Sequence, residues 1–359
     1  MLNIGPAPRI LVISLPGMGD TINTTPLFAL LKKHRPRAEI SVMVMYKGTA
    51  ELLEKDPNIN EVIFWPFMQE TAFNSLKFMW KIRKKRFDVS MLSYPSNRRE
   101  YNLISFLSGA PVRIAHRYNH LFYDSLGFMN TDLVDEDDTI HNVEENVKLF
   151  SVLGGQAAVW DKPRVFTGED DSAWSEAWIR ENRLKGEPLF GISPGNALLK
   201  NHIRRRWDKD KFIQVGRFLV KQYSAKILLF GGPKEKELKE YIVRGIGDAA
   251  FNVAPATMPQ TAALTKECKI LITNDSGLMH TASAVDVPTA AIFGPTNIHG
   301  LYPYRMKHRI ISLDLDCSPC FVNSKRPLSC HKYGDYRCIT GITVEMVLQG
   351  VRELMNPNK

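Results

Sequence analysis

The segment Pro8-Arg9-Ile10-Leu11-Val12-Ile13-Ser14-Leu15-Pro16-Gly17-Met18-Gly19-Asp20 determines the fold class that we predict for this chain. Its run from Ile10 to Leu15, apolar except for Ser14, is typical of a parallel strand that is buried on both faces. Residues Gly17 to Asp20 form a turn, and helical spacing of apolar residues then continues from Thr21 to His34. A buried strand followed by a glycine turn and a helix begins a βαβ unit.

The same alternation recurs along the chain. Further strands are predicted at 39–45 and 61–65, and a second series begins at 189–193 with its own Pro-Gly turn. We therefore predict an α/β fold of two Rossmann-like, doubly wound domains.

Length and composition also favour two globular domains. The chain has 359 residues, more than one hydrophobic core normally supports, and 44% of its residues are hydrophobic and 24% charged. These values exclude a disordered chain and a disulfide-stapled mini-protein. The chain becomes mixed and polar between Gln156 and Lys185, so we expect the domains to be 1–175 and 176–359.

The apolar runs are far too short to span a bilayer. The turn at Gly17 interrupts the first of them, which is the wrong layout for a signal peptide with its continuous apolar stretch. We therefore expect a cytoplasmic protein.

Charge is shared unevenly between the halves. Residues 1–180 contain 21 basic and 22 acidic side chains, whereas residues 181–359 contain 26 and 16. The second half is therefore the better candidate for binding an anion such as a phosphorylated ligand. The chain has no recognisable helix-turn-helix, zinc-finger or RNP pattern, so we expect no nucleic-acid partner.

Four turns predict where a ligand binds: 17–20, 193–196, 231–233 and 274–277. In open α/β sheets, turns at the carboxyl ends of strands let the backbone approach phosphates. Because the turns are spread over both domains, we expect the site in a cleft between them. The first turn lacks the third glycine of the dinucleotide fingerprint, since Ile22 occupies that place.

Two acids in these turns have two interpretations each. Asp20 and Asp275 both precede helical segments, where an aspartate is a good N-cap. Alternatively, the Asp20 carboxylate faces the cleft, and the backbone N–H groups after Asp275 bind phosphate.

Four cysteines cluster near the end of the chain: Cys317, Cys320, Cys330 and Cys338. They could hold a structural zinc ion, because tetrahedral zinc accepts four thiolates and one C-x-x-C pair suits it. Free thiols under a loop and oxidised pairs are the alternatives, the latter disfavoured in the cytoplasm.

Several motifs together resemble glycosyltransferase family 9, the ADP-heptose:lipopolysaccharide heptosyltransferases. The first is the segment Arg9 to Pro26, and the stronger is Asn274-Asp275-Ser276-Gly277-Leu278-Met279-His280-Thr281-Ala282 with Phe293-Gly294-Pro295-Thr296. The turn Gly231 to Glu235, the helix opening at His141 and the late cysteines, which are similar to those of the heptosyltransferase II branch, extend the resemblance over nearly the whole chain.

The resemblance implies a glycosyltransferase-B fold, with two domains facing a central cleft. It implies that the first domain binds the acceptor and the second the nucleotide-sugar, and that transfer is inverting and metal-independent. By motif position, Asp20 matches the general base and Glu235 the acid that contacts the donor nucleoside. With the turn residues, the expected donor-binding set is Gly19, Ser193, Gly195, Lys200, Arg205, Gly232, Glu235, Asp275, Ser276, Gly277 and His280.

One departure concerns the Lys-Arg-Trp-Pro motif that the family commonly carries. This chain has Arg204-Arg205-Arg206-Trp207-Asp208, so Arg205 replaces the lysine if Trp207 is the anchor. Arginine binds phosphate bidentately but cannot lose its proton, so an identical role does not follow. Lys200 folding back into the site is the alternative.

For an anionic acceptor we expect binding by Arg98, Arg113, Arg117 and His141, because arginine matches phosphate and carboxylate geometry. The basic helix that contains Lys77 and Trp80 is either a solvated helix end or a surface resting on an anionic membrane.

We therefore predict transfer of a heptose from an ADP-sugar to a lipopolysaccharide core or related glycan. No cofactor is required for catalysis, and peripheral contact with the cytoplasmic face of the inner membrane accompanies a glycolipid acceptor. The alternatives are a transferase that uses another nucleotide sugar, such as a UDP-hexose, a nicotinamide-dependent oxidoreductase, and a carbohydrate-binding protein without activity.

Overall fold

The computed structural model describes residues 4–118, 121, 123–154, 159–197, 199–253, 256–324 and 326–356. They form two compact units, Met1–Phe166 and Thr167–Lys359. This division comes earlier in the chain than the boundary after residue 175 that we expected. The helix Glu169–Glu181 belongs to the second unit because it packs on the helix Met258–Lys266.

The described part of the first unit is a parallel sheet with helices between its strands. The strands are β1 (Arg9–Ile13), β2 (Glu39–Val44), β3 (Glu61–Phe64), β4 (Val89–Leu92), β5 (Val112–Arg117) and β6 (Asp132–Asp135). The helices are α1 (Met18–Ile22), α2 (Thr25–His34), α3 (Lys47–Leu53), α4 (Ala72–Lys84), α5 (Arg99–Leu107) and α6 (Asn142–Ser151), with a 3-10 turn at Gly127–Met129.

The strand order of this sheet is β3-β2-β1-β4-β5-β6, and all neighbours are parallel. The central strand is β1, where Ile10 is aligned with Ile40 on one side and Val89 on the other. Its residues Ile10 to Ile13 are fully buried, as the apolar run predicted.

The second unit repeats this architecture. Its described strands are β7 (Leu189–Ser193), β8 (Lys226–Leu229), β9 (Ala250–Asn252), β10 (Leu271–Asn274), β11 (Thr289–Ile292) and β12 (His308–Ile311). Its helices are α7 (Glu169–Glu181), α8 (Lys209–Tyr223), α9 (Lys236–Ile246), α10 (Met258–Lys266), α11 (Gly277–Ala284), α12 (Ile298–Leu301), α13 (Arg337–Thr340) and α14 (Val344–Met355), with 3-10 segments at Leu199–Arg205 and Pro233–Glu235.

The order β12-β11-β10-β7-β8-β9 is again all parallel. Counted from the first strand of each unit, both sheets have the doubly wound order 3-2-1-4-5-6. The prediction of two doubly wound α/β domains is confirmed. The order reverses between β1 and β4 in one unit and between β7 and β10 in the other, which is where such sheets bind ligands.

The helix expected from Thr21 to His34 is two helices. Helix α1 ends at Ile22, and α2 begins at Thr25, with Pro26 in its first turn. Proline has no backbone N–H and is tolerated only in the first turn of a helix, so one continuous helix through this position is disfavoured.

Within the described ranges, no helix is both long enough and apolar enough to cross a bilayer.

Candidate functional site

In the second unit, side-chain amides join the two turns at the point where the strand order reverses. Strands β7 and β10 are neighbours, with Ser193 aligned with Thr273. The Asn274 amide donates to the Pro194 carbonyl at 2.8 Å, and the Asn196 amide donates to the Asp275 carbonyl at 2.9 Å. These two hydrogen bonds join the turns 193–196 and 274–277 into one edge at the carboxyl ends of β7 and β10.

The carboxylate of Asp275 is paired with Arg205. Arg205 Nη2 donates to the Asp275 carboxylate and, at 3.0 Å, to its carbonyl oxygen. The Thr296 hydroxyl donates to the same carboxylate at 2.6 Å. Asp275 is not the N-cap that its position suggested: Ser276 occupies that position, without a capping bond from its side chain, and the Asp275 carboxylate pairs with Arg205.

A second arginine–carboxylate pair lies beside the first. Arg206 Nη2 is 3.1 Å from Glu235 Oε1 and donates to the Asn196 carbonyl at 2.6 Å. The other carboxylate oxygen of Glu235 accepts from the Gly232 N–H at 2.9 Å. We call Arg205, Arg206, Glu235 and Asp275 the arginine–carboxylate cluster.

Two glycines leave the space that Glu235 occupies. A Cβ added to Gly195 would lie 1.7 Å from Glu235 Oε1, far inside van der Waals contact. Gly231 has φ +152°, and a Cβ there would lie 2.6 Å from Glu235 Oε2. The Lys239 ammonium fixes the same turn by donating to the Gly231 carbonyl at 3.0 Å and to the Val253 carbonyl at 2.9 Å.

Three buried nitrogen atoms at this edge have no hydrogen-bond partner within the described part of the chain: Arg205 Nε, Arg206 Nε and His202 Nε2. Burial, with the nearby Arg205 charge, lowers the pKa of His202 to about 4, so the imidazole is neutral at pH 7. The first N–H groups of α11 also lack partners within their helix. The arrangement thus offers hydrogen-bond donors to an anion.

The structure brings Gly195, Arg205, Glu235 and Asp275 together but directs Lys200 elsewhere. Lys200 Nζ donates to the Ser324 carbonyl at 2.6 Å, in the cysteine-containing segment. The other expected donor residues lie at strand or helix ends: Ser193 closes β7, Gly232 precedes the 3-10 turn, and Ser276, Gly277 and His280 open α11. His280 is buried, which lowers its pKa to about 4.

Trp207 is the anchor of the arginine run. It is buried, its indole N–H donates to the Ile342 carbonyl at 2.9 Å, and its backbone N–H donates to the Asn274 side chain at 3.0 Å. If Trp207 is the tryptophan of the motif, Arg205 stands two residues before it, in the place of the lysine.

Two contributors to this edge, His202 and Arg206, were not among the expected site residues. Asn196 and Asn274 lie in turns that the sequence indicated, and Thr296 lies in the quoted motif, but their contacts were not predicted. The run of arginines in the sequence indicated that Arg206 could bind an anion. Its pairing with Glu235 follows only from the pairing of β7 with β8.

The four late cysteines line one small cavity, together with Leu328 and Tyr333. All four are free thiols. Burial raises the pKa of Cys338 to about 11, whereas backbone N–H groups of Tyr333, Tyr336 and Gly334 lower the pKa of Cys330. Across the described residues, no three His, Cys, Asp or Glu side chains are arranged to hold a metal ion, so zinc stays a prediction.

In the first unit, Asp20 lies in α1, directly beyond the carboxyl end of β1. It is not the N-cap, which is Gly17; instead its carboxylate accepts from the Gly17 N–H at 3.0 Å. The adjoining Gly19 is buried. The side chain of Asp20 is half-buried, at the edge where the strand order of this sheet reverses.

Two tyrosines and an arginine share the surroundings of Asp20. Burial raises the pKa of Tyr46. The Arg98 charge lowers this pKa, and the Asp20 charge raises it. The same two charges act on Tyr101, where burial raises the pKa to about 12. Arg98 is the expected acceptor residue whose charge acts, with that of Asp20, on both tyrosines.

The other expected acceptor residues lie apart from Asp20 or have local partners. Arg113 lies at the amino end of β5 and donates to the carbonyls of Met129 and Ala110 at 2.8 and 2.7 Å. Arg117 closes β5 and pairs with Asp135 at 3.3 Å. His141 is the buried N-cap of α6, accepting from the Val143 N–H at 3.1 Å.

The family model of glycosyltransferase family 9 (heptosyltransferase) matches residues 76–331. The lipopolysaccharide heptosyltransferase 2 of Salmonella typhimurium is 28% identical over 321 residues, covering 85% of this chain and 88% of that protein. The lipooligosaccharide heptosyltransferase 2 of Haemophilus ducreyi is 25% identical over 362 residues, covering 97% and 99%.

Two solved structures share the fold. A family 9 glycosyltransferase from Veillonella parvula aligns with a TM-score of 0.80 at 22% identity over 98% of both chains. The ADP-heptose lipopolysaccharide heptosyltransferase II of Escherichia coli aligns with a TM-score of 0.74 at 23% identity over 97% of this chain and 99% of that one. The glycosyltransferase-B fold implied by the sequence motifs is confirmed.

Proposed function

This chain belongs to glycosyltransferase family 9, and on that premise we propose that it transfers a heptose from an ADP-sugar to a lipopolysaccharide core or related glycan. The relatives named heptosyltransferase 2, which it matches over most of its length, support the sugar and the acceptor. The arginine–carboxylate cluster carries the proposal, because it combines anion-binding donors with a carboxylate at the edge where such sheets bind nucleotides.

The donor diphosphate binds at the amino end of α11. The free N–H groups of the first helical turn and the guanidinium groups of Arg205 and Arg206 stabilise its charge. Glu235 holds the nucleoside: each carboxylate oxygen has one partner in the protein and a second lone pair to accept a ribose hydroxyl.

The transfer inverts the anomeric configuration. The acceptor hydroxyl oxygen bonds to the anomeric carbon as the bond from that carbon to the diphosphate oxygen breaks, and Asp20 takes the hydroxyl proton as general base. The negative charge that develops on the leaving ADP is stabilised by the same arginines and helix amides, without a metal cofactor.

The acceptor is an anionic glycolipid bound by the first unit. Arg98 is the expected cation for it, because the charges of Arg98 and Asp20 both act on the pKa values of Tyr46 and Tyr101. A glycolipid acceptor entails peripheral contact with the inner membrane.

Calorimetric titration with ADP, UDP and NADH tests the donor assignment. We expect selective ADP binding, weakened about tenfold or more in Glu235→Gln, which keeps an acceptor for the Gly232 N–H but loses the charge paired with Arg206. Glu144→Gln is the matched control, because Glu144 makes the same helix-start contact with the backbone of His141.

Selective UDP binding would keep the reaction class but overturn the ADP-heptose donor. Selective NADH binding would overturn the transferase assignment.

A further inference from the structure

Helix α4 presents apolar side chains on more than one side. Met79 and Ile82 are buried in the core of the first unit. On another side, Phe73, Leu76 and Trp80 are 64%, 54% and 60% exposed. Their spacing of three and four residues places them in one row along the helix. A helix that packs on a sheet needs only one apolar side, so folding does not explain the second row.

Lysines border this exposed row. Lys77 Nζ lies 4.3 Å from the centre of the Phe73 ring, and Lys84 Nζ lies 3.2 Å from that of Trp80. Lys81 is also exposed, and the sequence of α4 contains no Asp or Glu. The helix thus combines exposed aromatic rings with a net positive charge of its own. Two acids lie outside it: Glu70 accepts from the Asn74 amide at 2.9 Å, and Glu100 lines the same cavity as Leu76.

The apolar surface continues onto α5. Leu103 and Phe106 are exposed there, one helical turn apart. A cavity of about 400 Å³ has Leu76 of α4 and Leu103 of α5 in its wall, and it is also lined by Leu15, beyond β1, and by Arg98. We call Phe73, Leu76, Trp80, Leu103 and Phe106 the docking face.

We propose that the docking face inserts into the interface of an anionic lipid bilayer. Aromatic and leucine side chains bury apolar area at the level of the headgroups, while lysines on the same helix bind anionic lipids. This proposal rests on the proposed function in one respect: a glycolipid acceptor would lie in the bilayer that this surface contacts. A second copy of the chain is the poorer occupant, because a two-fold contact through this face would bring the two sets of lysines together.

Co-sedimentation with lipid vesicles tests the proposal with the full chain. We expect binding to vesicles of phosphatidylethanolamine with phosphatidylglycerol, and at least about tenfold weaker binding to vesicles of phosphatidylcholine. The variant Trp80→Ser/Lys84→Gln should reduce binding to the anionic vesicles about tenfold or more, since it removes one aromatic anchor and one cation.

The matched control is Tyr241→Ser/Lys209→Gln. Tyr241 is also an exposed aromatic residue, with Lys209 Nζ 3.8 Å from the centre of its ring, but it lies in the second unit. We expect this variant to bind vesicles as the unaltered chain does. Thermal melting of both variants establishes that each is folded.

Equal binding to both kinds of vesicle, or equal losses in the two variants, would overturn the proposal. So would a dimer that is lost only in the Trp80→Ser/Lys84→Gln variant, since the face would then bind a second copy.

Transfer to a lipid-free core oligosaccharide separates this proposal from the proposed function. The docking variant should retain that activity, and vesicle binding by a chain that transfers no heptose would contradict the proposed function alone.

Discussion

Acidic side chains in the first turn of a helix recur in this chain with one local geometry. Asp20 accepts from the Gly17 N–H at 3.0 Å, and Asp171 accepts from the Gly168 N–H at 2.8 Å. The local contact therefore does not distinguish them. What differs is the strand beside each residue, because Asp20 follows the central strand of its sheet, whereas Asp171 lies in a helix that precedes β7.

The Asp20→Asn substitution separates capping from proton transfer. The amide oxygen can still accept from the Gly17 N–H, but it cannot take a proton, so we expect the transfer rate to fall about a hundredfold or more with an unchanged Tm. ADP release in the presence of acceptor measures the rate. Asp171→Asn, with the same local contact, should keep the full rate. If Asp20→Asn matched that control, Asp20 would not be the base.

His280 predicts a loss of stability in acid. Burial lowers its pKa from 6.5 to about 4, so between these values the unfolded chain binds more protons than the folded one. The contribution of His280 to the free energy of unfolding therefore decreases as the pH falls, by about 2 kcal/mol from about pH 7 to about pH 5, and His202, whose pKa is lowered in the same direction, adds to the decrease. Urea unfolding of His280→Gln should show a smaller decrease than the unaltered chain. The same decrease in both would exclude His280 as the cause.

At the scale of elements, short turns build the arginine–carboxylate cluster. The turn after β8 supplies Glu235, and the turn after β10 supplies Asp275. Arg205 is the last residue of the 3-10 segment before α8, and Arg206 follows it. Each arginine balances one acid, so the cluster can be buried without unpaired charge.

Gly195→Ala tests how tightly these turns fit. The added Cβ would overlap the Glu235 carboxylate, so we expect Glu235 to shift, its contact with Arg206 to break and the affinity for ADP to fall about tenfold. Thermal melting and ADP titration measure both effects. A Cβ at Gly232 meets nothing within 4 Å, so Gly232→Ala is the steric control and should keep its Tm.

The double substitution Gly195→Ala/Glu235→Ala completes the test. It removes the collision, so it should be more stable than Gly195→Ala alone. Simple addition of the two single effects would contradict a direct clash.

The cysteine segment is expected to react in a fixed order. Cys330, whose pKa is lowered by backbone N–H groups, should be alkylated by iodoacetamide first, and Cys338, whose pKa burial raises to about 11, last of the four. Peptide mass spectrometry over time measures the order.

Elemental analysis of protein purified without chelator tests for zinc. One zinc per chain would protect all four thiols and abolish this order. Rapid alkylation of Cys338 in metal-free protein would contradict the burial argument.

At the scale of the whole molecule, each unit has its own sheet, core and reversal of strand order. Addition of ADP should therefore slow hydrogen exchange in the second unit, in peptides that contain the turns 193–196, 231–235 and 274–277. Mass spectrometry of exchanged peptides checks this. Protection limited to the first unit would contradict the assignment of the donor site.

Much of this molecule follows from the sequence alone, because local chemistry decides it. Apolar runs such as Ile10 to Ile13 form buried strands, and turns rich in glycine follow them. The alternation of strands and helices then leaves the doubly wound fold as the expected result, and the motif around Asp275 indicates the family.

The partners of the charged side chains were decided only by the tertiary structure. Arg205 contacts Asp275 across 70 positions of sequence, and Arg206 contacts Glu235 across 29, because β7 pairs with both β10 and β8. The same pairing brings Glu235 against Gly195, where a side chain would collide with it. Spacing along the chain predicts which residues lie at the carboxyl ends of strands, but only the order of the strands in the sheet determines which of these ends are neighbours.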